Sequence, residues 1–394
     1  MVSNFLTKQS LEFINAYDFK EPLHHYLKQQ FRARKQMGAR DRRWTRELIY
    51  AWFRIGNSMD SIGNEDRLIA SFFLAHHKAD DLANLLLADQ SILTIDKITA
   101  NVPEKLKIIK SLHSSFHADK IFSFSSLVSP LLNKELFVES FLTQPKVWLR
   151  VKPGMLAIVM AELLQLNIKA ETFENYPKAI ALPAGTAVHE TESFTKGNFE
   201  IQDLSSQRTG EYFKPQPGDN WYDCCAASGG KSLLLRSILG DVQLTVSDNR
   251  EHSLKNLSER FRKAGLKKYK AVIADLEGGL PPEIGELQFD GIIADVPCSG
   301  SGTWSRNPEQ MQTFTEQLLI DYSVRQQKIL KAISPSLKKG KPLIYITCSV
   351  FKKENEDVVN YAVTELGFEL ESMQLIQGME MGADTLFVAR LTSK

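Results

Sequence analysis

From Trp221 onward, short apolar segments alternate with stretches that are long enough to form a helix. The apolar segments are residues 221–223, 243–247, 271–274, 291–294 and 343–347. Neighbouring parallel strands need a crossover of a dozen or more residues, usually a helix, so this alternation predicts a mostly parallel, doubly wound α/β sheet. Ligands of such sheets bind beyond the carboxyl ends of the strands, and the residues that follow each strand are therefore the first candidates for a site.

The 394 residues exceed one ordinary domain, and the character of the sequence changes twice along the chain. Up to about residue 125 it is typical of helices: Trp44, Leu48 and Trp52 recur at helical spacing on one face. From about residue 141, strand-like segments at 147–151 and 179–182 flank a helix-like segment at 155–166. We predict a helical domain at 1–140, a small α+β module at 141–210 and the α/β domain at 211–394.

Composition narrows the class of protein. Hydrophobic residues make up 43% of the chain and charged residues 24%, which excludes wholesale disorder. No apolar run approaches the roughly 18 residues of a membrane span, and the first residues lack a signal-peptide pattern, so we expect a cytoplasmic protein without a membrane partner. The four cysteines form no CxxC pair, which favours neither a metal cluster nor a disulfide framework. Nothing in the sequence points to an obligate protein partner.

The net charge is only +1, but basic residues are concentrated between Lys28 and Arg54. This run holds nine basic residues and two acidic ones. The basic residues are Lys28, Arg32, Arg34, Lys35, Arg40, Arg42, Arg43, Arg46 and Arg54. Two interpretations are open from the residues alone: the run contacts a polyanion such as RNA, or it forms the solvated face of a helix.

Carboxylates and small residues follow the first three predicted strands. The first strand leads into a Gly-Gly turn at 223–232, which matches neither a dinucleotide fingerprint nor a Walker loop. Asp248 ends the second strand about 25 residues later, where a carboxylate can reach the hydroxyls of a ribose. Asp275 ends the third strand and could accept from an adenine amino group. Each aspartate could equally cap the helix or turn that follows it.

Two cysteines follow the last two predicted strands. Cys298 lies in the segment 295–302 after the fourth strand, and Cys348 follows the fifth. Loops at these positions converge on one cleft, so both thiols can face one substrate. A thiolate is a strong carbon nucleophile, and the unperturbed thiol pKa of about 8.5 can be lowered by cationic neighbours. Two facing cysteines suggest a reaction in two steps, with addition to a carbon and assisted proton removal.

These motifs together resemble the Sun-type, RsmB-like RNA (cytosine-5) methyltransferases, which use S-adenosylmethionine. The resemblance extends from about Pro145 to the C terminus. It rests on the segments 148–151, 201–207, 225–231, 295–302, 346–349 and 354–356. The helices, with the segment 38–50, resemble the NusB-like RNA-binding domain of that family. The resemblance implies a Rossmann-like class I methyltransferase domain with a seven-stranded sheet, and an RNA substrate that is most simply small-subunit ribosomal RNA.

The resemblance also assigns roles to individual residues. Cys348 would be the nucleophile that adds to carbon 6 of cytosine, Cys298 would help to remove the carbon-5 proton, and Asp295 would share a proton with ring nitrogen 3. The residues it assigns to the methyl donor are Cys225, Ala226, Ala227, Ser228, Gly229, Gly230, Lys231, Asp248, Arg250, Asp275 and Asp295. No metal site is implied.

The chain departs from the family pattern at two places. Ser228 stands where the family usually has proline, which frees a backbone dihedral and adds a donor without removing a reacting group. Ser305 and Arg306 stand where two basic residues are common. Three other functions are weighed against ribosomal RNA methylation: a transfer RNA methyltransferase, a non-catalytic ribosome-assembly factor and a DNA cytosine methyltransferase. The paired cysteines argue against the second, and the thiol at Cys348 disfavours the third.

Overall fold

The computed structural model describes residues 2–240 and 242–394, which divide into two compact units. The first unit comprises the chain up to Ser126 together with Asn133–Pro145 and Thr303–Phe314. The second comprises Leu127–Leu132, Lys146–Gly302 and Thr315–Lys394. The segment predicted as a separate module at 141–210 thus lies largely within the second unit. The described helices include none that is long and apolar enough to cross a bilayer.

The first unit is helical, as the apolar spacing predicts. Its described helices are α1 (Val2–Ala16), α2 (Leu23–Ala33), α3 (Ala39–Arg54), α4 (Asn64–Ala75), α5 (Asp81–Leu87), α6 (Val102–Leu112) and α7 (Lys134–Phe141). Trp44 and Leu48 of α3 are buried in its core. Trp304 is also buried and lies against Phe124 and Phe314, with ring centroids 6.1 and 5.1 Å away. This aromatic packing explains why the segment 303–314 belongs to the helical unit.

The structure corrects one member of the basic run. Arg54 is only 5% exposed, and its Nη1 donates to the carbonyl oxygens of Phe141 and Thr143 at 2.8 and 3.1 Å. The prediction that it belongs to a polyanion-binding surface is wrong, because Arg54 stands on the inner face of α3, where its guanidinium satisfies backbone acceptors. Arg42 and Arg43, earlier in the same helix, are at least partly exposed.

The second unit begins with a four-stranded antiparallel sheet. Its strands are β1 (Val147–Val151), β2 (Glu171–Phe173), β3 (Tyr176–Leu182) and β4 (Phe199–Ile201), in the order β2-β3-β1-β4. Three helices accompany it, α8 (Leu156–Gln165), α9 (Glu192–Thr195) and α10 (Leu204–Arg208). Leu149, Val159 and Ile180 pack together in its core, which confirms that the apolar segments at 147–151 and 179–182 are strands.

A larger sheet follows, and its described strands number seven. They are β5 (Asn220–Asp223), β6 (Gln243–Asp248), β7 (Lys270–Ile273), β8 (Gly291–Asp295), β9 (Pro342–Thr347), β10 (Phe368–Gln377) and β11 (Thr385–Ser393). Their order is β10-β11-β9-β8-β5-β6-β7. Strands β5 to β9 pair in parallel, whereas β11 runs antiparallel to both β9 and β10. The predicted mostly parallel α/β sheet is confirmed.

Helices connect the parallel strands and cover the sheet. They are α11 (Gly230–Leu239), α12 (Glu251–Ala264), α13 (Pro282–Gly285), α14 (Glu316–Ile333) and α15 (Glu356–Glu365). Leu235 of α11 and Phe261 of α12 pack in one core cluster with Val246 of β6 and Ile344 of β9. All six residues of β9 are buried, as expected for a central strand that is covered on both faces. This packing fixes the carboxyl ends of β5, β6, β8 and β9 along one edge.

Candidate active site

The turn between β5 and α11 has a backbone that only certain residues tolerate. Ala227 and Gly229 both have a positive φ, +46° and +82°. A Cβ added at Gly229 would collide with the ring of Phe261 in α12. Glycine is therefore required at 229 both for its conformation and for the close approach of two helices. The small residues of this turn leave its backbone open to a ligand.

Asp248 joins the end of β6 to this turn. Its side chain is only 6% exposed, and its carboxylate accepts from the backbone N–H of Ala227 at 2.9 Å and of Arg250 at 3.0 Å. The Arg250 Nε also donates to it at 3.0 Å, which raises the pKa of the guanidinium. Arg250 is 54% exposed and can turn away into solvent, which frees an acceptor oxygen for a ligand hydroxyl.

Asp275 takes one of the two roles that the sequence left open, that of a cap. Its Oδ1 accepts from the backbone N–H of Glu277 at 3.1 Å, so it caps the short turn Leu276–Gly278. It is also exposed and lines the same cleft as Asp248. A capping carboxylate keeps a second oxygen with which it can accept from a ligand.

These strand ends surround a cleft of about 410 Å³. The predicted site residues that line it are Cys225, Ala227, Asp248, Arg250, Asp275, Asp295, Cys298 and Cys348. The remaining predicted donor residues, which shape the turn behind this wall, are Ala226, Ser228, Gly229, Gly230 and Lys231. Strand order thus brings together side chains that lie more than 120 positions apart in the sequence.

Ser228, which stands at the usual proline position, forms contacts that proline cannot form. Its Oγ accepts from Arg260 Nη1 at 3.0 Å, and Arg260 Nε forms an ion pair with Glu200 at 2.7 Å. Ser228 thereby links the turn between β5 and α11 to helix α12 and strand β4. Of the second departure, Ser305 is buried and both Ser305 and Arg306 lie in the helical unit.

Cys298 and Cys348 lie together, with their sulfur atoms 3.2 Å apart. They follow the neighbouring parallel strands β8 and β9, whose pairing sets this distance. The hydrogen bond to Cys348 and burial together raise the pKa of the Cys298 thiol well above its ordinary value. Cys298 therefore holds its proton, and either sulfur can be the donor of the hydrogen bond between the two side chains.

Glu354 connects the loop that carries Cys298 to the loop that carries Cys348 through hydrogen bonds. It is fully buried, and its carboxylate accepts from the backbone N–H of Ser299 at 2.8 Å and from Ser299 Oγ at 2.6 Å. It also accepts from Ser349 Oγ and, at 3.1 Å, from Gln326 Nε2. Ser299 directly follows Cys298 and Ser349 directly follows Cys348, so one carboxylate sets the position of both thiols.

Sequence reasoning gave Glu354 no role, although it is part of the segment 354–356 on which the family resemblance rests. Burial raises the pKa of its carboxyl, which the serine donors partly oppose. The next residue extends the same support: Asn355 accepts from Thr347 Oγ1 at 2.6 Å and donates to the Ser349 carbonyl at 2.9 Å. The recurrence of a serine after each cysteine is the only sequence signal that could have indicated a shared partner.

A cation stands beside the cleft at Lys231. Its Nζ forms an ion pair with Asp295 at 3.0 Å and donates to Ser206 Oγ at 2.8 Å. Asp223, behind them at the end of β5, is fully buried and accepts from Ser232 Oγ at 2.6 Å. Burial raises the pKa of Asp223 to about 7. The carboxyl groups of this edge thus have different surroundings: a cation lies beside Asp295, whereas Asp223 is buried.

Helix α14 closes the cleft with residues that sequence reasoning did not single out. Tyr322, Arg325 and Ile329 line it, and Arg325 forms an ion pair with Glu277. These residues are spaced by three and four along one helix face, but that pattern is common to any amphipathic helix. No signal in the sequence distinguishes them.

The strand order, with its antiparallel β11, and the cleft at the carboxyl edge define the fold of a class I methyltransferase. Residues 211–391 match the family described as 16S rRNA methyltransferase RsmB/F. This match confirms the resemblance of this part of the chain to the Sun-type, RsmB-like family that its motifs indicate. The NusB-like character of the helical unit stays a prediction.

Curated relatives share the family description. The ribosomal RNA small subunit methyltransferase B of Salmonella paratyphi B is 30% identical over 273 residues, which are 65% of this chain and 62% of that protein. The protein of the same description from Salmonella typhi has the same identity and coverage. The match thus spans about 62% of the length of these relatives.

Solved structures share the fold. PH0851 is 18% identical, with a TM-score of 0.70 and coverage of 98% of each chain. NSun6 from Pyrococcus horikoshii, solved with SFG, is 18% identical with a TM-score of 0.60, and covers 67% of this chain and 95% of its own. A methyltransferase homolog from Pyrococcus horikoshii is 20% identical with a TM-score of 0.55, over 66% and 90% of the two chains.

Proposed function

We propose that this protein is an S-adenosylmethionine-dependent RNA (cytosine-5) methyltransferase that acts through a covalent bond between Cys348 and carbon 6 of the base. The observation that carries the proposal is the 3.2 Å approach of the Cys298 and Cys348 sulfur atoms at the cleft wall. A packing role needs no second thiol at hydrogen-bond distance, nor a buried carboxylate fixing both loops. The match of residues 211–391 to the RsmB/F family supports the same reaction.

The cleft fits the methyl donor by its charges and its shape. S-Adenosylmethionine carries a ribose, an adenine and a sulfonium, and when bound it supplies an electrophilic methyl group. Asp248 would accept from the ribose hydroxyls and Asp275 from the adenine amino group, and both line the cleft. Ala227 and Cys225 keep the turn narrow enough for a ligand to lie against it. That NSun6 of the same fold was solved with SFG agrees with this assignment.

The residues of the cleft divide the base chemistry among them. The Cys348 thiolate adds to carbon 6 of the cytosine, and the electrons of the 5,6 double bond make carbon 5 nucleophilic enough to take the methyl group. Asp295 shares a proton with ring nitrogen 3 and so offsets the charge that develops during addition. Cys298, as a thiolate at that stage, removes the carbon-5 proton, the double bond forms again and Cys348 leaves.

The pKa of Cys298 agrees with this division. The hydrogen bond to Cys348 and burial raise it, so Cys298 holds its proton in the free enzyme. Transfer of that proton to solvent or to a base leaves Cys298 ready to accept the carbon-5 proton later. Lys231 forms an ion pair with Asp295 and so places a positive charge beside the carboxyl that would contact the base.

The substrate we propose is small-subunit ribosomal RNA, with the target cytosine unpaired so that carbon 6 can be reached. The names of the matching family and of the relatives, which refer to ribosomal RNA of the small subunit, support this choice. We also propose that the protein is located in the cytoplasm.

The test is methyl transfer from labelled S-adenosylmethionine into three nucleic acids that lack their own modification: small-subunit ribosomal RNA, transfer RNA and DNA. We expect label in 5-methylcytosine of ribosomal RNA only, and its loss in Asp295→Asn. Methylation of transfer RNA alone would show that the proposed substrate is wrong and that the proposed reaction is right. Binding of the donor with no transfer to any of the three would leave a non-catalytic assembly factor as the better account.

A further inference from the structure

A second cavity, of about 490 Å³, lies in the same unit but shares no lining residue with the cleft. Strand β3 of the small sheet, helix α10 and the second half of α11 enclose it. Its apolar floor includes Leu204, Leu234 and Ile238. Neither the motifs at 148–151 and 201–207 nor this cavity takes part in the proposed reaction, yet both motifs contribute to its walls.

Arg150 of β1 lines this cavity and is only 5% exposed. Its Nε donates to Gln202 Oε1 at 2.6 Å, but its buried Nη2 has no hydrogen-bond partner. Glu200, its neighbour across the sheet, forms an ion pair with Arg260 instead. A buried guanidinium with an unsatisfied N–H is costly, and a bound anion would satisfy it.

Burial lowers the pKa of Arg150 to about 10, so the guanidinium keeps its charge at neutral pH. The cavity adds three more cations, Lys178, Arg208 and Lys214, against one carboxylate, Glu211. Arg208 also lies over the ring of Tyr176, 5.7 Å from its centroid. Cations at one wall and an apolar floor beside an aromatic ring are what a nucleotide requires, since phosphate takes the charge and the base takes the flat surface.

We propose that this cavity is a phosphate-binding subsite for a nucleotide of the RNA substrate, with Arg150 as its buried anchor and Lys178 and Arg208 at its mouth. That RNA carries the phosphate rests on the proposed function, whereas the binding of a nucleotide phosphate itself does not. An arginine is suited to this role because its planar fork contacts phosphate oxygens in pairs.

The subsite is connected to the active site by hydrogen bonds. Gln202, which holds Arg150, also donates through Nε2 to Ser206 Oγ and to the Gly230 carbonyl, each at 3.3 Å. Ser206 in turn accepts from Lys231, the partner of Asp295. An RNA nucleotide bound at Arg150 would thus be positioned relative to Lys231 and Asp295 through a short series of polar contacts.

The experiment uses the full chain and a short single-stranded RNA, with binding measured by fluorescence anisotropy over a series of salt concentrations. The test variant is the double substitution Lys178→Gln, Arg208→Gln, both at the cavity mouth. The matched control is Lys267→Gln, Lys268→Gln, which removes two exposed charges from a different loop. We expect the test variant to bind RNA about ten-fold more weakly, with a salt slope reduced by about 0.7 for each lost phosphate contact. The control should retain the wild-type slope.

A second arm distinguishes RNA from a free nucleotide. Uridine 5′-monophosphate is added to wild type and to the test variant, and the melting temperature is followed. A rise in wild type alone, with RNA binding unchanged by the test variant, would assign the subsite to a free nucleotide. Equal RNA affinity for test and control variants, together with no variant-dependent rise, would overturn the proposal.

Arg150→Met provides a check that does not depend on the mouth residues. If Arg150 serves to bind an anion, Arg150→Met keeps the wild-type melting temperature without ligand. Its melting temperature then no longer rises when RNA or nucleotide is added. If Arg150 is only structural, Arg150→Met melts earlier and the mouth variant binds RNA normally, which contradicts the proposal. Binding is read without methyl transfer, so an RNA that binds here and is never methylated breaks the proposed function alone.

Discussion

The protein has two pairs of neighbouring cysteines, and they differ in what surrounds them. Cys224 and Cys225 are adjacent in the sequence, with their sulfur atoms 3.9 Å apart at the end of β5. Cys298 and Cys348 are 50 residues apart, with their sulfur atoms 3.2 Å apart at the ends of β8 and β9. The pair that is distant in sequence is the closer pair in space, because two parallel strands deliver it.

The environments differ more than the distances do. Cys224 is 1% exposed and its pKa is raised mainly by burial, which makes it a small apolar residue of the core. Cys298 and Cys348 both line the cleft, and each precedes a serine that hydrogen-bonds to Glu354. Cys224 and Cys225 also line the cleft, so neither the proximity of two thiols nor access to the cleft makes a reactive site by itself. The shared support by Glu354 distinguishes the second pair.

The largest expected effect separates the pairs by activity. Cys348→Ala should lower kcat for methyl transfer by at least about a thousand-fold, because no other group can form the bond to carbon 6. Cys224→Ala should leave kcat within about three-fold and cost about 1–2 kcal/mol of unfolding free energy, since it removes only a buried sulfur. Steady-state rates and chemical unfolding of both variants check this. A comparable loss of activity in Cys224→Ala would erase the distinction between the pairs.

The support of the reactive pair is tested by Glu354→Gln. The amide keeps the size of the side chain but cannot accept all the serine donors, so we expect kcat to fall about 10- to 100-fold with little change in the donor KM. The control is Glu356→Gln, which stands two residues away and binds Ser129 instead. If kcat falls equally in both variants, Glu354 acts through general stability and does not position the thiols.

The environment of the first pair is tested through Asp223, which precedes Cys224. Its folded pKa of about 7 lies above the unfolded value, so its contribution to stability is fully present below about pH 4 and is lost as pH rises through 7. Asp223→Asn cannot ionise. Relative to wild type, the variant should therefore gain about 2–3 kcal/mol of unfolding free energy between pH 5 and pH 8. Parallel stability curves for the two proteins would show that Asp223 is ionised throughout.

The smallest effect on the chemistry is expected far from either pair. Reversing Arg42 and Arg43 to Glu should weaken RNA binding and flatten its salt dependence, because helix α3 loses cations that can contact phosphates. The kcat at saturating RNA should stay within about two-fold. Binding at low salt that equals wild type would assign these arginines to the solvated face of the helix.

The fold could be predicted where buried elements have a recognisable apolar pattern in the sequence. Strands β8 and β9 carry continuous apolar runs because helices cover both faces of the sheet. Edge strand β10 exposes residues in its middle, so it has no such run and was not located. Within the basic run, Arg54 could not be distinguished from its exposed neighbours, since its burial depends on the carbonyls of Phe141 and Thr143.

The residues of the candidate site also fall into two groups, those that the sequence could predict and those that it could not. The three aspartates and the cysteine pair each follow a strand, and strand ends converge by topology alone, so these residues could be listed from the sequence. Glu354 and Tyr322 depend on distances between loops and helices. Those distances arise from packing in three dimensions, and a linear pattern of residue types does not contain them.

The most direct test of the central claim is a search for the covalent bond itself. Cys298→Ala is incubated with S-adenosylmethionine and unmodified small-subunit ribosomal RNA, and the protein is examined after denaturation for attached RNA. We predict an adduct that peptide mapping places on Cys348 and that is absent from the Cys298→Ala, Cys348→Ala double variant. No adduct with Cys298→Ala, and one attached to Cys298 in Cys348→Ala, would show that the two thiols have the opposite roles and contradict the account.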